Sequence, residues 1–160
     1  GFDAGDYFCD AAITYVGEPV VNYFNSAGIR VELRPIERAA FFRGWSEKKL
    51  KGLIQGGSGA FGNAATRIEA FIAAGGTYVS GSYKDIDGLV LEQANEVDAK
   101  RREATLHRIQ QLIHDKAMIA PIWLNAGLNG SGPRVEESGI GVIAGYAFSA
   151  PYEDVRLKRQ

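Results

Sequence analysis

The segment from Gly57 to Gly62 carries the densest chemical signal in the sequence. It satisfies the pattern G-x-G-x-x-G, which lets the backbone of dinucleotide-binding domains approach a pyrophosphate. One interpretation is therefore a nucleotide-dependent enzyme domain that uses this loop. The other is that the glycines allow a sharp turn or a close approach to a different ligand, because glycine accepts positive φ without steric cost. The fingerprint belongs after the first strand of its unit, which favours the second interpretation.

The other residues with catalytic or metal-binding chemistry do not form a working set. His107 and His114 share one side of a helix, but they flank its apolar stripe and have no third ligand at suitable spacing. The segment around Ser58 reads Gly-Gly-Ser-Gly-Ala and lacks the final glycine of a G-x-S-x-G nucleophile elbow. Cys9 is the only cysteine, and a lone thiol near the end of a strand is typical of a small buried side chain. We therefore expect no enzyme activity, no cofactor and no metal site.

The elements around the glycine-rich loop alternate between strand and helix. After a first strand that ends near Cys9, spacing predicts a helix over 18–27, a strand over 29–35, a helix over 38–50, a short strand at 53–54 and a helix over 65–74. Pro19 is expected in the first turn of its helix, where proline is tolerated, and Trp45 is expected in the core. Such alternation predicts an α/β fold with a mostly parallel sheet flanked by helices. Ligands of such sheets bind at the carboxyl ends of the strands.

The second half of the chain is predicted to begin with two helices, capped at their N-termini by Asp85 and Asp98. Residues 119–124 are apolar enough for a strand. Pro121 lacks an amide hydrogen, which places this strand at the edge of the sheet. An aromatic stretch over 146–152 offers a further interpretation, in which the chain is a structural interaction domain that docks through this tail.

The overall composition limits the class of protein. With 160 residues, of which 46% are hydrophobic and 23% charged, the chain is expected to form a single domain over 1–160. Its 18 basic residues nearly balance its 19 acidic residues, which argues against nucleic acid as a partner. No apolar run approaches the roughly 20 residues of a membrane helix. The chain opens at Gly1 without Met, which favours a mature or trimmed product.

Two stretches of the chain carry a family pattern. The first, over 18–51, has a helix that ends in Ser-Ala-Gly-Ile, the strand Arg-Val-Glu-Leu and a Phe-rich helix. The second, over 98–122, has a long helix that leads into Ile-Ala-Pro-Ile. In order and spacing these stretches resemble the C-terminal lobe of family 5 extracellular solute-binding proteins, the peptide-binding type that serves ABC importers.

The resemblance implies a binding module rather than an enzyme. It would be one lobe of a two-lobe clamp that captures a small solute, peptide-like or other, and delivers it to ABC permease subunits. The missing N-terminal lobe would precede Gly1. The location implied is extracytoplasmic, either free in the periplasm or lipid-anchored.

The resemblance also indicates where the solute would bind. Family members often carry a tryptophan, two further residues and an aspartate in the loop after the third strand, and the acid pairs with the ammonium group of a peptide. Ser58 and Phe61 stand at these positions here, so the pairing is lost and a solute with apolar or sugar-like faces suits the loop better. The residues expected to bind the solute are Gly57, Ser58, Phe61, Asn63 and Trp123.

Overall fold

The computed structural model describes residues 1–57, 64–123, 130–139 and 152–158. The chain divides into two compact units: Gly1–Ser58 with Ala70–Ser82, and Gly59–Glu69 with Tyr83–Gln160. The first unit contains a parallel sheet, and the second contains two long helices.

The first unit is built on three parallel strands. Its elements are, in chain order, β1 (Phe2–Asp10), α1 (Thr14–Ser26), β2 (Ile29–Ile36), α2 (Arg38–Ser46) and β3 (Leu53–Ile54). The strand order is β2-β1-β3, with both pairings parallel. The register of β1 with β2 runs from Phe2 opposite Ile29 to Asp10 opposite Ile36. The predicted α/β fold with a mostly parallel sheet is confirmed.

One face of the sheet packs against α1. Tyr7 of β1, Val21 of α1 and Val31 of β2 form the centre of this core, and each is at most 7% exposed. The alternation of apolar residues in β2 directs Val31 and its neighbours on that face toward the helix, as its period of two requires. A Cβ atom on Gly17 of α1 would lie 3.0 Å from Cδ1 of Leu33, so this glycine allows a close approach of helix and strand.

The start of α1 differs from the prediction. The helix begins at Thr14, and Pro19 therefore lies inside it rather than in its first turn. The extra turn forms because Val16 and Gly17 extend the buried face of the helix toward its N-terminus. Packing of this face outweighs the backbone hydrogen bond that proline cannot donate.

The other face of β1 and β2 carries charged residues that pair across the strands. Arg30 donates to Asp3 at 2.7 Å, and Arg34 donates to Asp6 at 2.9 Å. Arg34 also pairs with Glu32 on its own strand at 2.9 Å. These side chains are all more than a third exposed, so this face of the sheet is a charged surface in the structure.

The C-terminus of α2 is shaped by Lys48. The helix ends at Ser46 instead of continuing to residue 50, because Lys48 adopts a left-handed φ of 58° and its amide donates to the carbonyl of Trp45 at 3.0 Å. The ammonium of Lys48 then donates to the carbonyls of Gly76 and Thr77, at 3.1 and 2.6 Å. The turn therefore ties residues 76–77 to the end of α2.

An aromatic cluster lies beside this turn. Its rings belong to Phe41, Phe42, Trp45, Phe71 and Tyr78. Trp45 is 8% exposed, as predicted for a core residue, and its indole Nε1 donates to the carbonyl of Tyr78 at 3.1 Å. The cluster gives the first unit a second core, separate from the one under α1.

The second unit centres on two helices. The helices of this part of the chain are α3 (Ala64–Phe71), which runs on into the first unit, α4 (Lys84–Asn95) and α5 (Ala99–Asp115). Ile86 of α4 and Ile109 of α5 are both fully buried. Asp98 caps α5 as predicted, because its carboxylate accepts from the amide of Arg101 at 2.9 Å. Among the described residues, no helix is long and apolar enough to cross a membrane.

The predicted cap of α4 at Asp85 is wrong. The helix begins earlier, with Tyr83 at the N-cap position and without a side-chain cap. Asp85 lies in the first turn, where its carboxylate pairs with the ammonium of Lys116 at 3.0 Å. The same ammonium lies 4.5 Å from the centre of the Tyr83 ring. The acid therefore joins the start of α4 to the end of α5.

The late edge strand predicted over 119–124 is not found in residues 119–123, which are not in a strand. Ile119, Ile122 and Trp123 are each at least 46% exposed, so this apolar run has no buried face that would hold it against a sheet. A separate antiparallel pair is formed by β4 (Val135–Glu137) and β5 (Arg156–Leu157). Most of the aromatic stretch at 146–152 lies outside the described residues.

Candidate functional site

The carboxyl ends of the three strands form one edge of the sheet, because all the strands are parallel. Asp10 ends β1, Glu37 follows β2 and Gln55 follows β3. In open α/β sheets ligands bind outside this edge, at the point where the strand order reverses. With the order β2-β1-β3 this point lies between β1 and β3. We refer to Asp10, Glu37, Arg38, Gln55, Gly56 and Gly57 as the carboxyl-edge site.

Gln55 fixes the chain as it leaves β3. Its amide donates to the carbonyl of Phe8 at 2.8 Å, which extends the pairing with β1. Its side chain is buried, accepts from the hydroxyl of Tyr7 at 3.1 Å and donates to the carbonyl of Ile13 at 3.4 Å. Burial, with a smaller effect of Cys9, raises the pKa of Tyr7, so this hydroxyl keeps its proton and remains a donor.

Two described glycines follow Gln55, and the packing requires the first of them, Gly56. A Cβ atom at this position would collide with the indole ring of Trp45. A Cβ atom on Gly57 would meet nothing within 4 Å, and Gly57 is exposed. The loop therefore starts against the aromatic cluster at Gly56 and emerges into solvent at Gly57.

Asp10 and Arg38 form an ion pair between the end of β1 and the start of α2. The carboxylate of Asp10 accepts from Nη1 of Arg38 at 2.7 Å and from the amide of Ala12 at 3.0 Å. The Asp10 side chain is 3% exposed, whereas that of Arg38 is 68% exposed. The guanidinium carbon of Arg38 lies 5.3 Å from the centre of the Phe42 ring. The arginine thus neutralises a buried acid and presents its remaining donors to solvent.

Glu37 occupies the N-terminus of α2. Its carboxylate accepts from the amides of Ala39 and Ala40 at 3.0 and 3.1 Å. These two hydrogen bonds hold the pKa of Glu37 below its usual range. The positive end of the α2 dipole is therefore already matched by an acid of the chain itself.

The fold of this chain is similar to that of solved structures. No protein-family model matches the chain, and no curated protein matches it. Among solved structures, the chain is similar to the ABC transporter substrate-binding protein CtaP of Listeria monocytogenes, with 19% identity and a TM-score of 0.61, over 72% of this chain and 25% of that one. It is also similar to a nickel ABC transporter structure from Bacillus halodurans, with 17% identity and a TM-score of 0.62, over 73% and 26% of the respective chains. The fold is periplasmic-binding-protein-like. The chain spans about a quarter of the length of these solved structures.

The structure places the predicted solute-binding residues unevenly. Gly57 lies at the carboxyl edge of the sheet, and Trp123 lies in the second unit, where it is 53% exposed. Ser58, Phe61 and Asn63 lie outside the described residues, so their role stays a prediction. The glycine-rich loop follows β3, the third strand of the unit, whereas a dinucleotide fingerprint follows the first.

Spacing alone did not identify Asp10, Arg38 and Gln55. Asp10 and Arg38 are 28 residues apart, and Tyr7 and Gln55 are 48 apart. The available signals were a polar residue at the end of each predicted strand and an arginine at the start of the next helix. Such residues meet because the carboxyl ends of parallel strands share one edge.

The remaining candidates for chemistry have structural surroundings. Cys9 is fully buried, and this burial is the main reason that the pKa of its thiol is raised, which makes the reactive thiolate scarce. His107 and His114 are exposed on α5. Within the described part of the chain, no group of at least three His, Cys, Asp or Glu side chains is placed to hold a metal ion.

Proposed function

We propose that the chain is one lobe of an extracytoplasmic solute-binding protein that serves an ABC importer. The observation that carries the proposal is the similarity of fold to two ABC transporter structures, which extends over 72% and 73% of the chain. The carboxyl-edge site supports it, because this edge is where α/β sheets of this kind bind their ligands.

The proposal includes a second lobe. The aligned part of the chain covers 25% and 26% of the two similar structures, so the rest of a comparable protein would supply the opposing wall of a binding cleft. The lobe would work by reversible capture and closure, and the closed form would be recognised by permease subunits. It forms no covalent bond with its solute and is not an enzyme. Its compartment would be the periplasm or the outer side of a membrane to which the protein is lipid-anchored.

The finer assignment, to the peptide-binding type of family 5, rests on the sequence pattern at 18–51 and 98–122. At the carboxyl-edge site the acids are already engaged, since Asp10 pairs with Arg38 and Glu37 caps α2. A peptide ammonium would have to displace one of these contacts, and it would meet Phe61 where the family has an acid. A solute without a free amino group fits these residues better, and Phe61→Ala is expected to weaken its binding.

The test is native mass spectrometry of the gene product, purified without denaturant from an extracytoplasmic extract. The expected result is a protein of about three times 17.3 kDa, because 72% of this chain covers 25% of the similar chain, and it should carry a small solute that is released on unfolding. Phe61→Ala should retain less solute, with Phe2→Ala as a matched control on an exposed ring at the far end of β1. A product of 17.3 kDa found in the cytoplasm, without solute, would refute the proposal.

A further inference from the structure

We infer that Arg38 anchors a carboxylate group of the solute at the carboxyl-edge site. The inference rests on the proposed function and adds a chemical class to its ligand. It is carried by the contacts that Arg38 makes and by those that it leaves unmade.

Two contacts hold the Arg38 guanidinium in place. Its Nη1 donates to the buried carboxylate of Asp10 at 2.7 Å, and the ring of Phe42 lies 5.3 Å from its central carbon. Both contacts restrict a side chain that is otherwise 68% exposed. An arginine fixed in this way loses little further freedom when it binds an anion.

Arg38 uses only one nitrogen of its guanidinium fork, whereas Arg30 and Arg34 of β2 each use two. Arg30 donates through both Nε and Nη2 to Asp3, at 2.9 and 2.7 Å. Arg34 donates through Nε to Asp6 and pairs through Nη2 with Glu32, both at 2.9 Å. Among the described residues, Asp10 alone accepts from the Arg38 side chain, and it takes only Nη1. Nε and Nη2 remain available to a ligand.

The position of Arg38 suits a ligand of the sheet. It is the first residue of α2, directly beyond the carboxyl end of β2, and Gly57 emerges beyond the end of β3. Strands β2, β1 and β3 are neighbours in that order, and a strand spacing of about 4.8 Å makes this edge about 10 Å wide. A small solute can therefore contact the guanidinium and the backbone of Gly57 together.

The charges around Arg38 favour a carboxylate over a phosphate. Asp10 and Glu37 carry negative charge here, Arg38 and Arg43 carry positive charge, and the formal sum is zero. A site without a strong positive field binds by the geometry of its donors, and a guanidinium fork matches the two oxygens of a carboxylate. A phosphate dianion would face repulsion from both acids at close range.

The test uses the full-length gene product, freed of retained solute by unfolding, dialysis and refolding. The two probes are sodium acetate and inorganic phosphate, at ionic strength held constant with sodium chloride. Arginine Nε–H resonances are followed by NMR. The Arg38 resonance should shift saturably with acetate, and those of Arg30 and Arg34 should not. Arg38→Lys keeps the charge beside Asp10 but loses the fork, so acetate affinity should fall about ten-fold or more. Arg34→Lys is the matched control and should change it by less than about two-fold.

Each other outcome counts against the inference in a defined way. An Arg38 resonance that moves no more than that of Arg30, or an equal loss in Arg34→Lys, would remove Arg38 as an anion site. Saturation by phosphate at a lower concentration than by acetate would overturn the carboxylate class. If the purified protein retains a solute but Arg38 ignores acetate after that solute has been removed, only the anchor is refuted. If Arg38 binds acetate but the gene product is a 17.3 kDa cytoplasmic protein without solute, the proposed function is refuted and with it the role of the anchor.

Discussion

Replacing Gly56 with alanine would drive a methyl group into the indole ring of Trp45. The new Cβ atom would overlap the ring and lie 2.9 Å from its Cζ3 atom. The ring cannot withdraw easily, because it is 8% exposed and its Nε1 donates to the carbonyl of Tyr78. Overpacking of this kind costs about 1–3 kcal/mol. Against this, any glycine-to-alanine change gains about 0.4–1 kcal/mol by restricting the unfolded chain.

Gly57→Ala is the matched control, because it makes the same chemical change one residue later. Its Cβ atom would meet nothing within 4 Å, and the φ of Gly57 is not in the left-handed region. The effect on the unfolded chain is shared by the two variants and cancels in their difference. The stability difference between Gly57→Ala and Gly56→Ala is therefore the overlap itself, about 1–3 kcal/mol.

The assay is urea unfolding followed by near-UV circular dichroism, which reports on the aromatic cluster. With a urea m-value of about 1–3 kcal/mol/M, a difference of about 2 kcal/mol corresponds to a difference of about 0.7–2 M in the urea midpoint. Gly56→Ala should also weaken the near-UV signal of the native state. Equal midpoints for the two variants would refute the argument that Trp45 sets the path of the loop.

Three further changes test other parts of the structure. Lys48→Met should destabilise the chain by about 1–3 kcal/mol, because it removes two hydrogen bonds to residues 76–77 and keeps the left-handed φ. Lys48→Gly removes the same hydrogen bonds but should cost less, because glycine adopts a left-handed φ without strain. Thermal unfolding of the two variants measures the difference. Asp98→Ala should lower the stability of α5 by about 1 kcal/mol, because the helix loses its N-terminal cap. A larger loss of helical circular dichroism in Asp85→Ala than in Asp98→Ala would contradict the assignment of Asp98 as the cap. Burial raises the pKa of the Cys9 thiol in the folded chain, so its contribution to stability is complete below the thiol pKa of the unfolded chain and is lost as the pH rises toward the folded pKa. The free energy of unfolding should therefore fall above about pH 8.5, and Cys9→Ala should make that fall smaller.

The sheet could be predicted because its signals are local. The switch from helical spacing to a period of two at Ile29 marks β2, and the structure places that strand at Ile29–Ile36. Asp98 was identified as a cap because a cap bonds to an amide three residues away. Asp85 was misassigned because its partner, Lys116, is 31 residues distant. The apolar run at 119–123 resembled a strand, but the pattern does not show whether a sheet is present to receive it.

The carboxyl-edge site could be predicted in place but not in composition. The glycine-rich loop marks the end of β3 in the sequence. The sequence does not show which of two neighbouring glycines the packing requires, because only the position of the Trp45 ring distinguishes Gly56 from Gly57. Arg38 appeared as one more charged residue at a helix start. Its importance comes from Asp10, whose side chain is 3% exposed at the end of the central strand β1.

The outer position of β2 has a consequence for self-association. One row of its backbone groups has no partner strand among the described residues, and such an edge can recruit a strand from a second copy and grow into fibrils. Pro35 lacks an amide donor in that row. Arg30, Glu32 and Arg34 place charged side chains on the exposed face of the strand. The other outer strand among the described residues, β3, is only two residues long and offers almost no template. The charges that join β1 to β2 thus also discourage a second copy from adding its own strand.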